Sequence, residues 1–204
     1  MYQIRPIFDS SGKDGSSDRF SSKNPLQIVT PYKKINVFDI LLVLGFALFM
    51  CLYRIGDYSM GGGDQTTHSV AVQGMLKSGD FLTPIKDGGP YFNKPPFKMW
   101  LATIAVAVLG ESNFSYRAVD GLCGTALAAV VFLFSFSLFR SRAIAYCSLL
   151  ALMGCNLLFF GHGIRNATQD VMMVLLVTIG LWIGWNTLEQ WNELANDAKQ
   201  SRKF

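Results

Sequence analysis

An aspartate after three glycines and a lysine before two prolines bracket the polar stretch between the chain's first apolar runs. Gly61-Gly62-Gly63-Asp64 opens it and Asn93-Lys94-Pro95-Pro96 closes it. A carboxylate can take a proton from an acceptor hydroxyl, and an ammonium can neutralise charge growing on a departing phosphate, so this pair of residue types suits group transfer. The glycines allow unusual backbone angles and close approach of a substrate. Asp64 equally suits a plain N-cap for the helix-compatible run 65–77. Lys94 suits a side chain reaching to lipid headgroups as well as one holding a lipid phosphate. Arg165 and Asp170 share a second polar island, GHGIRNATQD, between two apolar runs, and charges pressed against helix ends are usually paired or functional. Arg117 and Asp120 stand one helical turn apart, placed to pair with each other. His68 and His162 are the only histidines, and two alone make a poor metal site.

The elements that must position these groups are mostly apolar. Half of the 204 residues are hydrophobic, mean hydropathy is +0.29, and only 16% are charged. The charges crowd into 1–36, 54–117 and 189–204, leaving charge-poor stretches of about 17 to 22 residues, the length that crosses a bilayer. The pattern predicts an all-α integral membrane protein with about four transmembrane helices, near 37–53, 117–139, 143–160 and 171–188. The loop 54–116 is expected to carry amphipathic juxtamembrane helices near 65–77 and 97–110. The second of these is too short to span, and Val70, Val72, Met75 and Leu76 give the first an apolar face suited to lying flat on the membrane. Residues 1–36, rich in Ser, Gly, Lys and Asp, read as a disordered cytoplasmic tail, and 189–204 as a second, polar cytoplasmic tail.

Basic residues orient this arrangement. With four spans, Lys33, Lys34, Arg140, Arg142, Lys199, Arg202 and Lys203 all fall on the cytoplasmic side. Were 97–110 to cross, Arg140 and Arg142 would face outward. Both chain ends are therefore expected inside, and Asp64 and Asp170 on one outer face. The net charge of +4 acts as a topology signal, and no nucleic-acid motif accompanies it. No nucleic-acid partner is expected. The first apolar run ends in no small-residue cleavage site and reads as an anchor. Cys51, Cys123, Cys147 and Cys155 match no zinc or redox spacing and read as small buried hydrophobes.

The order of the polar pieces resembles the N-terminal part of the GT-C membrane glycosyltransferases, in the branch of lipid A aminoarabinose transferases and protein O-mannosyltransferases. The matching pieces are Asp64, the run Met75 to Phe81, Tyr91 to Pro96, Leu109-Gly110-Glu111, Arg117, and Arg165 to Asp170, over about residues 37–190. The resemblance implies an inverting enzyme of the bacterial inner membrane. It would take a sugar from a polyprenyl-phosphate carrier and pass it to a lipid or protein acceptor on the outer face. It implies that Asp64 acts at the catalytic centre, that Lys94 holds the carrier phosphate, and that Asp170 is a second catalytic carboxylate. Arg117, Arg165 and Tyr91 are expected to contact substrate. The resemblance assigns no cofactor, and a divalent metal is compatible with it.

Two positions depart from the family pattern: Gln65 stands where a second acid usually follows the first, and Asn93 where an acid usually precedes the lysine. Family members also run well beyond this length, so the chain is expected to correspond to an N-terminal portion, with a C-terminal half supplying the rest. The competing reading is a non-catalytic accessory or lipid-binding membrane protein built on the same fold. A transporter fits poorly, since the spans carry few charges and no paired broken helices.

Overall fold

The computed structural model describes residues 34–201. The expected tail 1–36 therefore lies almost wholly outside the described residues, as do Arg202 and Lys203. The regular elements among these residues are all helices apart from one small hairpin.

Helix α1 (Val37–Leu52) starts on a reciprocal cap. The Asn36 side chain accepts from the Asp39 amide and the Asp39 carboxylate accepts from the Asn36 amide, both at 2.9 Å, which satisfies two amides a helix start otherwise leaves bare. Asp39 is fully buried and its other oxygen meets Arg142 and the Tyr146 hydroxyl, the latter at 2.8 Å. A charge buried in this way needs such partners, and here they tie α1 to α5 (Arg142–Met153).

Helix α4 (Asn113–Phe139) is the central element, packed against α1, α3 (Phe97–Leu109), α5 and α7 (Asp170–Ser201). It begins four residues before the expected 117, because Ser112 and Ser115 form a second reciprocal cap. Small residues let its neighbours close in. A Cβ on Gly121 would stand 2.4 Å from a Leu52 methyl, and one on Gly124 2.4 Å from the Ile164 δ-methyl.

A smaller layer sits on one end of this bundle. Helix α2 (Asp64–Ser78) lies within a residue of the expected 65–77, and α3 matches the expected 97–110 equally closely. Glycines Gly63, Gly79 and Gly110, all at positive φ, punctuate the helices as such residues should. Ala71, Val72 and Met75 of α2 pack on Met99, Ala102 and Val106 of α3. Val72 and Met75 of the expected apolar face are thus buried against α3, whereas Val70 and Leu76 are only partly buried. Between the two helices, β1 (Ile85–Lys86) pairs antiparallel with β2 (Gly89–Pro90). Asp87 and Gly88 both have positive φ, the conformation of the tight hairpin turn that Asp-Gly favours. The hairpin lies so close to α2 that a Cβ on Gly74 would come within 2.2 Å of the Ile85 carbonyl.

Among the described residues, α4 and the Asp170–Asn192 part of α7 are long and apolar enough to cross a membrane. The stretch expected as one helix over 143–160 instead bends by 60° after Met153, with α6 (Asn156–Phe159) beyond the break, and the bent pair also qualifies as one span. Helix α1 has 16 residues, about 24 Å at the α-helical rise, against a hydrocarbon core of about 30 Å. Large apolar side chains such as Phe38, Leu41 and Phe49 on α1 and Val177 and Leu181 on α7 face outward, as befits an all-α integral membrane protein. The cysteines are all free thiols: Cys51 is buried and Cys123 partly so, whereas Cys147 and Cys155 are exposed. That corrects the expectation of four buried sulfurs: the last two are open to the surface.

Candidate active site

Asp64 is the first residue of α2, while Gly63 takes the cap position at φ +76° without a side-chain cap bond. Freed from capping, the Asp64 carboxylate accepts from the Lys94 ammonium at 3.0 Å, both side chains about one third exposed. Lys94 reaches it from a bend ahead of Pro95 and Pro96, after which α3 begins. The Lys94 hydrogen bond holds the Asp64 carboxyl below its ordinary range, with burial opposing and the charge of Lys94 and the neighbouring His162 assisting. The same bond raises the Lys94 pKa, and the charge of Asp170 adds to the effect. Asp64, Lys94, His162 and Asp170 therefore share one electrostatic neighbourhood.

Asp170 opens α7 and pairs with His162 Nδ1 at 3.0 Å, with both side chains well exposed. Arg165 lies in a 3-10 turn (Ile164–Asn166). Its guanidinium donates to the Tyr53 carbonyl at 3.2 Å and stacks 5.1 Å from the Tyr58 ring centroid and 5.7 Å from that of Phe160. It borders a cleft of about 320 Å³ that Tyr53, Phe159 and Asn156 also line. Tyr91 sits just after the hairpin, its ring 5.7 Å from the Lys86 ammonium.

Arg117 is placed differently from a side chain that meets substrate. It is 1% exposed, and its two terminal nitrogens donate to the carbonyls of Ile55, Tyr58 and Ser59 and to Gln65 Oε1 at 2.6 to 3.2 Å. In this arrangement it orders the loop leading to Gly61. Nor does it pair with Asp120, as their spacing suggested. Asp120 instead meets Lys98 Nζ at 3.0 Å, with the two side chains 0% and 2% exposed. Gln65, the amide where an acid was expected, is an acceptor for that buried arginine. His68 also entered the site unforeseen as a structural member: it is 3% exposed and contacts a backbone carbonyl 99 residues away, a pairing that no local pattern announces. Among the described residues, no three His, Cys, Asp or Glu side chains gather as a metal site would require.

A carboxylate–ammonium pair and a carboxylate–imidazole pair, carried at the ends of helices in an all-α membrane bundle, define a class of membrane protein with polar chemistry at its surface. Residues 93–194, half of the sequence, match the family model described as dolichyl-phosphate-mannose-protein mannosyltransferase. The chain belongs to that family of GT-C membrane glycosyltransferases. It is 28% identical over 152 residues to an undecaprenyl phosphate-alpha-4-amino-4-deoxy-L-arabinose arabinosyl transferase of Enterobacter sp. (strain 638), covering 73% of this chain and 27% of that protein. The similarly named transferase of Pseudomonas aeruginosa strain PAO1 is 26% identical over 163 residues, 79% of this chain and 28% of its own. An uncharacterised protein of Aquifex aeolicus is 26% identical over 143 residues, 70% of this chain and 28% of that one. The chain thus spans little more than a quarter of these relatives. No solved structure matches it.

Proposed function

We propose that this chain forms the N-terminal, site-bearing part of an inverting glycosyltransferase that takes a sugar from a polyprenyl-phosphate carrier. The acceptor is a lipid or protein group at the outer face of the bacterial inner membrane, with both chain ends in the cytoplasm. The observation that carries this reading is the Asp64–Lys94 pair, drawn together across 30 residues yet still a third open to substrate. Family membership and the names of the relatives support the same reaction class.

In the proposed reaction Lys94 exchanges Asp64 for the carrier phosphate. The phosphate is the leaving group at the anomeric carbon, and the ammonium offsets the charge it gains. Losing Lys94 removes the interaction that depresses the Asp64 pKa, so donor binding makes that carboxylate a better base for the acceptor hydroxyl. The acceptor oxygen then forms the new glycosidic bond as the carbon–phosphate oxygen bond breaks, and its proton passes to Asp64. Asp170, oriented by His162, serves as the second carboxylate. Arg165 and Tyr91 flank the site as substrate contacts.

The test uses the full-length protein that contains this segment, with a labelled polyprenyl-phosphate sugar as donor. Asp64→Asn keeps the shape but loses the base, and transfer should fall by about 10²-fold or more. Undiminished transfer would remove Asp64 from the chemistry. A wild-type protein that binds the lipid donor without consuming it would favour the accessory role.

A further inference from the structure

His68 lies one helical turn after Asp64 on α2, and its Nδ1 stands 3.0 Å from the Ala167 carbonyl oxygen. A carbonyl only accepts, so Nδ1 carries the proton and donates, which leaves Nε2 as a bare lone pair. Nε2 is buried and has no hydrogen-bond partner among the described residues. Burial lowers the His68 pKa, outweighing the opposite influence of the Ala167 bond, so the neutral Nδ1–H ring is the resident form.

The other end of this bond is an unusual piece of backbone. Ala167 has φ +48°, in the left-handed region that residues with a Cβ avoid. Such conformations persist where the surroundings hold them, and they cluster at functional sites. Here the Ala167 carbonyl is taken by His68, and the next residue, Thr168, donates its hydroxyl to the His162 carbonyl at 2.7 Å. Both Ala167 and Thr168 are 2% exposed. Three residues after Ala167 comes Asp170, and five before it His162, which pairs with Asp170. The imidazole therefore joins the helix that starts with Asp64 to the turn that delivers Asp170.

We propose that His68 is a positioning residue for sugar transfer, one that pins the strained 164–168 turn to α2 and so sets the spacing of Asp64 and Asp170. The proposal rests on the reading of those two carboxylates as the catalytic pair. It assigns no contact between His68 and substrate; the ring acts through the backbone it holds.

Two amides separate this role from simple space filling. In His68→Asn the side-chain N–H falls where Nδ1 was, whereas in His68→Gln it falls nearer to Nε2, and His68→Leu has no donor. In the full-length protein, kcat and KM for a polyprenyl-phosphate sugar are measured alongside amide hydrogen exchange over 164–170. The Asn variant should stay within about threefold of wild type. The Gln and Leu variants should lose about tenfold or more in kcat with donor KM little changed, as misplacement of a catalytic group does. Exchange over 164–170 should quicken by about tenfold in the same two variants. Wild-type kcat and protection in Gln and Leu, or an Asn variant as impaired as Gln, would overturn the proposal. If Leu fails to accumulate, the Asn and Gln variants decide. A wild-type protein that transfers no sugar overturns the catalytic reading itself; exchange that still quickens in the Gln variant then places the failure there and not in the tie.

Discussion

Lys94 and Lys98 are four residues apart, and each meets an aspartate at 3.0 Å, yet the two pairs are built for different ends. Lys94–Asp64 is a third exposed and bridges two loop-borne helix starts, whereas Lys98–Asp120 is sealed between α3 and α4 at 2% and 0% exposure. Water competes for the first pair, so its partners can part when a better ligand arrives. The second has no such exchange, because separating buried charges leaves at least one of them unsolvated. The proline pair separates the two along the chain: before it the lysine is open at the proposed site, after it the lysine is sealed in the scaffold. Distance and chemistry alone do not distinguish them; exposure does.

The comparison breaks most visibly at the buried pair. Asp120→Ala should destabilise the protein by about 3–5 kcal/mol, the usual result of orphaning one buried charge. Replacing both partners by apolar residues, Lys98→Met with Asp120→Leu, should recover most of that loss, because the desolvation burden goes with the charges. Reversible unfolding in detergent micelles measures both. A double variant no more stable than Asp120→Ala would mean that the pair does more than satisfy itself, for instance through the nearby His68 that also lines the space beside Lys98.

At the open pair the ranking of effects should invert. Lys94→Met should leave the melting temperature within about 3 °C of wild type, since partly exposed pairs add little to stability. Its effect should appear in catalysis, as a rise of about tenfold or more in the KM for the polyprenyl-phosphate donor together with a fall in kcat, because a phosphate-holding charge acts in both ground and transition states. Lys94→Arg should recover part of the donor affinity, since the cation is kept but its geometry changes. An unchanged KM in Lys94→Met would return Lys94 to the role of a headgroup contact.

The same contrast explains what could be seen in the sequence beforehand. Helices α2 and α3 were legible to within a residue or so because Gly63, Gly79, Pro96 and Gly110 mark their ends. The break after Met153 was not, since 143–160 is apolar throughout and hydropathy reports environment but not direction. Asp120 was matched to Arg117 because a helix places residues three apart on one face. Instead Asp120 meets the tertiary partner Lys98, while the two terminal nitrogens of Arg117 are taken by carbonyls of the 55–59 loop. The residue types of the proposed site, Asp64, Lys94 and Asp170, stood out as charges between apolar runs. Their supports did not: His68 and Arg117 act on backbone carbonyls 99 and about 60 residues away, and a carbonyl has no signature in a sequence.

The smallest expected effect is the most specific to the open pair. The Asp64 pKa is lowered from its ordinary 3.8 in the folded protein, chiefly by the Lys94 hydrogen bond. A lowered folded pKa means that the pair's contribution is present above about pH 4 and is lost as pH falls through the folded value. Lys94 is raised from 10.5 by the same bond, so on the alkaline side the contribution is full below that value and disappears as pH rises through the higher folded pKa. Stability curves of wild type and Asp64→Asn in micelles should therefore run parallel between about pH 5 and 9. They should converge below about pH 3.8, as the wild-type carboxyl takes up its proton. Because both groups are a third exposed, the gap between the curves should be slight at low salt and close further as salt is added. Curves that converge near neutrality instead would show Asp64 already sharing a proton with a neighbour, and the carboxylate would then be tuned by His162 and Asp170 more than by Lys94.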